Sequence, residues 1–161
     1  MAPTHFVLDQ NFPIAVAGVD WPPTFRLTRL ATIEPTLVRD HEDWEILYAL
    51  DRQGDVDGFI TNDANMLELP REMVMLQRTR LVLVVTAGVG HNPLRATGLN
   101  MVHLQEIARR INERPRIYLL RPRSLSPLAP GAQINKLAAR ENLPPNQLIS
   151  REVTAVRERL G

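Results

Sequence analysis

The 161-residue chain contains no cysteine, which excludes disulfide staples, thiolate nucleophiles and every cysteine-ligated zinc site. It holds a single lysine, Lys136, against eighteen arginines, a bias that reads first as the codon usage of a GC-rich genome and says little about function. Aromatic residues make up only 5%, and Trp44 and Tyr118 read as core rather than as base-stacking platforms. Long apolar runs are missing too. The longest, Leu81 to Val85, is far short of the roughly 20 residues that a membrane span needs. No basic region leads into an apolar stretch near Met1. The expectation is a soluble chain with no membrane partner and a cytoplasmic location. The four histidines, His5, His41, His91 and His103, lack the helical pair spacing of a zinc site. Aspartate is absent from everything after Asp63.

What is present suits an ordinary globular domain, with 44% hydrophobic and 23% charged residues. The overall charge of +1 conceals a split. Residues 1–63 hold eight Asp and three Glu against four Arg, whereas residues 64–161 hold seven Glu against fourteen Arg and one Lys. An acidic cluster facing a basic surface is the arrangement that a metal-dependent enzyme acting on a polyanion would use.

Apolar runs and alternation predict strands over His5–Asp9, Phe25–Leu30, Gly58–Thr61, Leu81–Thr86 and Arg116–Leu120. Helical spacing predicts helices around Ile14–Val19, Asp40–Gln53, Met66–Gln77 (interrupted or begun at Pro70) and Val102–Asn112. The alternation points to an α/β fold, a three-layer α/β/α sandwich with a mostly parallel sheet of about five strands. Pro122, Pro127 and Pro130 mark a linker. Beyond it, Gly131–Asn142 and Pro144–Leu160 read as two helices with apolar stripes at Ile134, Leu137 and Ala138, and at Leu148, Val153, Val156 and Leu160. The division expected is a domain over residues 1–123 and a helical C-terminal extension over 124–161.

Asp9 and Asp63 both fall at the carboxyl ends of expected strands. Ligands of open α/β sheets bind in the crevice beyond those ends, so the two acids converge there if their strands are neighbours. Two carboxylates in one crevice call for a hard, oxygen-loving cation such as Mg²⁺ or Mn²⁺. An acid from the Asp43/Glu45 helix start would complete the set, although each acid taken alone also reads as a helix cap or turn residue.

The segments Leu8-Asp9-Gln10-Asn11-Phe12-Pro13, Glu42-Asp43-Trp44-Glu45-Ile46-Leu47 and Thr61-Asn62-Asp63-Ala64-Asn65-Met66 resemble, in order and approximate spacing, the three signatures of a small PIN-like family. That family is related to the toxin ribonucleases of bacterial toxin–antitoxin pairs. Its signatures read roughly Leu-Asp-Glu-Asn-Leu-Pro, Ser-Asp-x-Glu-Ile-Leu and Thr-x-Asp-x-Asp-Phe. The resemblance covers residues 5–121 and implies a PIN-like α/β/α sandwich. It also implies a Mg²⁺- or Mn²⁺-dependent endoribonuclease that leaves a 5′-phosphate and a 3′-hydroxyl, with RNA as substrate, an antitoxin protein as partner and a homodimer as the assembly. Asp9, Asp43 and Asp63 match the catalytic, metal-binding acids, with Glu45 and Asn65 as outer or substitute ligands. The sequence departs from the family at Gln10, where Glu is common, and at Asn65, where a second Asp is usual. Those departures motivate the alternative, a catalytically weakened PIN-like domain acting as an RNA-binding or protein-interaction module.

Arg71, Arg78, Arg80 and Arg95 follow the third signature and are candidates for phosphate contacts. The run Gly88-Val89-Gly90-His91-Asn92-Pro93 lacks the Lys-Ser/Thr ending of a phosphate loop and the third glycine of a dinucleotide fingerprint, so it reads as a plain loop.

Overall fold

The computed structural model describes residues 2–38, 41–89, 92–112, 116–122 and 130–160. Asp40, Gly90, His91 and Pro127 lie outside the described residues, as do the side chains of Val156 and Leu160. The chain divides into two compact units, residues 1–122 and 123–161.

The first unit is built on five strands: β1 (Thr4–Leu8), β2 (Phe25–Arg29), β3 (Gly58–Thr61), β4 (Val82–Thr86) and β5 (Arg116–Leu120). They pair in the order β2-β1-β3-β4-β5, every pair parallel. Helices α1 (Ile14–Ala17), α2 (Leu30–Ile33), α3 (Asp43–Gln53), α4 (Pro70–Arg78) and α5 (Pro93–Arg109) connect them, with 3-10 turns at Pro35–Val38 and Ala64–Glu68. Because side chains alternate across a strand, the apolar residues of the central strands divide between two cores. Phe6, Leu8, Ile60, Val82 and Val84 join Val16 of α1 and Ala96, Leu104 and Ile107 of α5. Val7, Phe59, Leu83 and Val85 join Ile46, Leu47 and Leu50 of α3 and Leu76 of α4. The result is the α/β/α sandwich that the apolar runs predict. The central strands are apolar at consecutive positions because both faces are covered.

Gly58 shows how tightly the centre is packed. A Cβ there would lie 2.7 Å from the Phe6 ring and 2.9 Å from the Val82 carbonyl oxygen, so only glycine allows this approach of β3 to its neighbours. Gly54, at φ 79°, ends α3 in the left-handed conformation.

Helix α5 begins nine residues before the start that the Leu104–Ile111 stripe suggests. The Asn92 side chain accepts from the Arg95 N–H and Pro93 occupies the first turn, a cap-and-proline start whose signal is local rather than periodic. Helix α2 has four residues, too short to show a period.

The second unit consists of α6 (Pro130–Arg140) and α7 (Pro145–Leu160), joined through Asn142, which has φ 54°. Ala138 and Leu148 are buried, and Arg151 donates to Glu141 at 2.8 Å. Leu137, Ile149 and Val153 stay 40–46% exposed and line a cavity of about 380 Å³ within the unit. Among the described residues no helix is long and apolar enough to cross a membrane.

Candidate active site

From β1 the chain passes to β2 on one side of the sheet, then returns across β1 to place β3 on the other. The winding therefore reverses between β1 and β3, and such a switch point leaves a crevice at the carboxyl ends of its two strands. Asp9 is the residue after β1, and Asp63 comes two residues after β3.

Asp9 is only 5% exposed. Its Oδ2 accepts from the Thr61 hydroxyl at 2.9 Å, and its N–H donates to the Ile60 carbonyl at 2.8 Å. Burial pushes its carboxyl above the ordinary carboxylate range, and the nearby Asp63 adds to this. The Thr61 hydroxyl and the N–H groups of Gln10 and Asn11 act in the opposite direction. The same Thr61 oxygen accepts from the Asp63 N–H at 3.0 Å, and Asp63 Oδ1 accepts from the Asn65 N–H at 2.9 Å. One buried hydroxyl thus ties the two strand-end acids together, while Asp63 also caps the turn that follows it.

Asp43 is the first residue of α3. Its carboxyl is pushed up to about 6, first by burial and then by the negative charges of Asp9, Asp63 and Glu72. A helix N-terminus favours a carboxylate, so the repulsion and burial outweigh that help. The groups acting on Asp43 are all acids.

Glu72 is the member that the sequence reading did not single out. It lies in the first turn of α4, where an acid after Pro70 reads as a dipole-favoured surface residue. Its phase on the helix tells otherwise. Glu72 and Leu76 are four residues apart, share one stripe, and are 5% and 3% exposed. An acid on the buried stripe of a short helix was the signal available.

The remaining candidates are placed differently. Glu45 Oε2 accepts from the Glu42 N–H at 2.9 Å and lies 3.1 Å from His41 Nδ1, closing the first turn of α3. Asn65 is exposed, and its N–H is what it gives to Asp63. Arg71 donates to Glu42 Oε2 at 2.6 Å. The Trp44 indole N–H and Arg71 together hold the Glu42 carboxyl below its ordinary range. Arg71 and Arg95 open α4 and α5 at the carboxyl end of the sheet. Arg78 ends α4 and Arg80 precedes β4, both at the opposite end, where Arg80 is engaged by Asp51 through its N–H at 2.9 Å and its side chain. The four arginines therefore do not form one groove.

The donors gathered at the switch point are anionic oxygens, a chemistry that suits Mg²⁺ or Mn²⁺ and not a soft-metal site. As the side chains stand, no group of three His, Asp or Glu among the described residues is arranged to hold a metal ion. A cavity of about 670 Å³ opens beside them, lined by Asp43 and Glu72 together with His41, Leu69, Pro70 and Arg71. No family model matches the chain, and neither the curated proteins nor the solved structures include one significantly similar to it.

Proposed function

We propose that the protein is a PIN-like, Mg²⁺- or Mn²⁺-dependent endoribonuclease whose centre is Asp9, Asp43 and Asp63. What supports this reading is that Asp9 and Asp63 share the Thr61 hydroxyl at the switch point, and that Asp43, raised first by burial, also feels the negative charges of Asp9, Asp63 and Glu72. Acids crowded together in this way are characteristic of functional sites, because folding alone does not favour them. A bound divalent cation would supply charge neutralisation at the scissile phosphate and acidify a water molecule for attack. Asp9, buried and fixed by Thr61, is the rigid anchor of the set. Asp43 and Asp63 are half-buried, so both are open on one side to solvent and to an incoming cation. Arg71 and Arg95, at the same end of the sheet, are placed to meet phosphates of a single-stranded RNA. The exposed Leu137, Ile149 and Val153 of the helical unit offer an apolar face to a second copy of the chain or to an antitoxin protein.

The test is cleavage of an end-labelled single-stranded RNA by purified protein with Mg²⁺ or Mn²⁺. Cleavage should stop with EDTA, and Asp9→Asn and Asp63→Asn should each lower the rate by about 100-fold or more, with folding retained. Cleavage surviving both substitutions would overturn the assignment. A wild-type protein that binds Mn²⁺ and RNA yet cleaves nothing would be the RNA-binding module instead.

A further inference from the structure

Helix α5 buries one face and leaves the opposite one bare. Ala96, Asn100, Leu104 and Ile107 are its buried residues, while Leu94, Gly98, Met101, Val102 and Gln105 recur at three- and four-residue spacing on the other side. There Leu94 is 82% exposed, Val102 72% and Met101 50%, a stripe of neighbours rather than the scattered single apolar side chains of an ordinary surface. Gly98 sits in its middle. Glycine weakens a helix interior, and a Cβ at this position would meet nothing within 4 Å. Unlike Gly58, Gly98 is therefore required by no contact within the chain. It leaves a notch between exposed apolar side chains, the shape that a close-packed second helix fills. Arg95 and Glu106, both exposed, lie along one flank of the stripe about three turns apart. Arg109 and Arg110 approach Glu106 only to 3.6 and 3.8 Å, which leaves its oxygens open to a closer cation.

We infer that this face is where two copies of the chain pair, α5 against α5, antiparallel about a two-fold axis between Asn100 and Met101. Such an axis keeps each flank on its own side and reverses its order, so Arg95 of each copy stands opposite Glu106 of the other. The same register seats Val102 of one helix over Gly98 of the other and brings the two Met101 side chains together. A two-fold pair needs a surface that complements itself. This stripe does so in charge and in shape, which selects a second copy over an unrelated protein. The 17 residues of α5 span about 25 Å, so the contact lies at the low end of specific interfaces and forms at micromolar concentrations. The inference does not depend on the metal-dependent reading. Antiparallel helices point the two acidic edges in opposite directions, so each copy keeps its own open crevice. The Arg95 guanidinium retains N–H donors for a phosphate beside the carboxylate.

The experiment is analytical ultracentrifugation of the full chain over a range of about 1–200 μM, across which wild type should pass from the mass of one chain toward that of two. Gly98→Gln fills the notch where the single chain has open space. It should weaken pairing at least about tenfold, yet melt at or above the wild-type temperature at the lowest concentration, where both are single chains. Arg95→Glu and Glu106→Arg each set like charges against one another and should weaken pairing about tenfold. An equimolar mixture of those two variants should pair as tightly as wild type, because in the mixed pair every acid again meets a base. Ile149→Ser, in the helical unit, should leave pairing unchanged. A wild-type chain that stays single throughout would overturn the proposal and leave the stripe to a different protein. Pairing that survives Gly98→Gln and is lost in Ile149→Ser would overturn it by moving the second copy to the helical unit. A mixture no tighter than its two components would overturn the antiparallel register. None of these outcomes bears on Mn²⁺ binding, so the metal-dependent reading stands or falls separately.

Discussion

At the amino end of the sheet, His5 is 4% exposed and its polar atoms have partners on all sides. Its N–H donates to Asp57 Oδ2 at 2.9 Å, Nδ1 lies 3.0 Å from the Asp55 carbonyl and 2.9 Å from Arg26 Nη2, and Nε2 lies 3.1 Å from the Thr28 hydroxyl. Arg26 in turn donates to Asp55 at 2.8 Å. Burial, helped by Arg26, holds the imidazole below its ordinary pKa, so the ring sits neutral inside a satisfied network. At the carboxyl end of the same strand, Asp9 is equally buried, yet the charge acting on it is that of Asp63, and the charges acting on Asp43 are those of Asp9, Asp63 and Glu72. Opposite charges meet at one end and like charges at the other. The contrast separates polar groups that stabilise the fold from polar groups that the fold must hold against their own repulsion, and the second kind marks a site.

If that contrast is real, substitutions at the two ends should have effects of opposite sign. The largest is expected at the amino end. Asp57→Ala removes the acceptor of the buried His5 N–H, and orphaning such a donor costs about 1–3 kcal/mol, read as a melting temperature lowered by several degrees with Mn²⁺ binding unchanged.

A smaller effect of the opposite sign is expected at Asp43. Its pKa is raised from 3.8 to about 6 in the folded protein, so the folded state holds this proton more tightly than the unfolded state. Its contribution is favourable below that window and is lost as the pH rises through it. A shift of two units corresponds to roughly 3 kcal/mol, reduced by solvent screening at this partly exposed group to about 1 kcal/mol. Asp43→Asn should therefore melt about 2–4 °C above wild type at pH 7 in metal-free buffer, and level with it near pH 4. Melting curves at the two pH values check this. A variant less stable than wild type at pH 7 would mean that Asp43 is held by favourable contacts, and the contrast between the two ends would collapse.

Much of this arrangement is legible in the sequence. The strands of the sandwich announce themselves as apolar runs, and Asp9 and Asp63 stand where those runs stop, so their place at the carboxyl edge follows from strand direction alone. Asp43 follows from the acids that open α3. Glu72 was legible only through its four-residue spacing from Leu76, because a first-turn glutamate otherwise reads as a dipole-favoured surface residue. The arginines show a different shortfall. Arg71 and Arg78 are close in sequence, but α4 runs against the strands and carries them to opposite ends of the sheet. Spacing along the chain does not report which end a side chain reaches. The early start of α5 depends on the Asn92 cap and Pro93, which periodicity does not register.

The account is tested most directly by the effect of Mn²⁺ on melting temperature at pH 7, compared in wild type, the carboxyl-end variant Asp9→Asn and the amino-end variant Asp55→Asn. A cation held by the acidic centre should raise the melting temperature of wild type and Asp55→Asn alike, by about 5 °C or more at a hundredfold excess over Kd, and should leave Asp9→Asn nearly unmoved. An equal rise in all three proteins would place the metal elsewhere and contradict the assignment of the carboxyl-end acids.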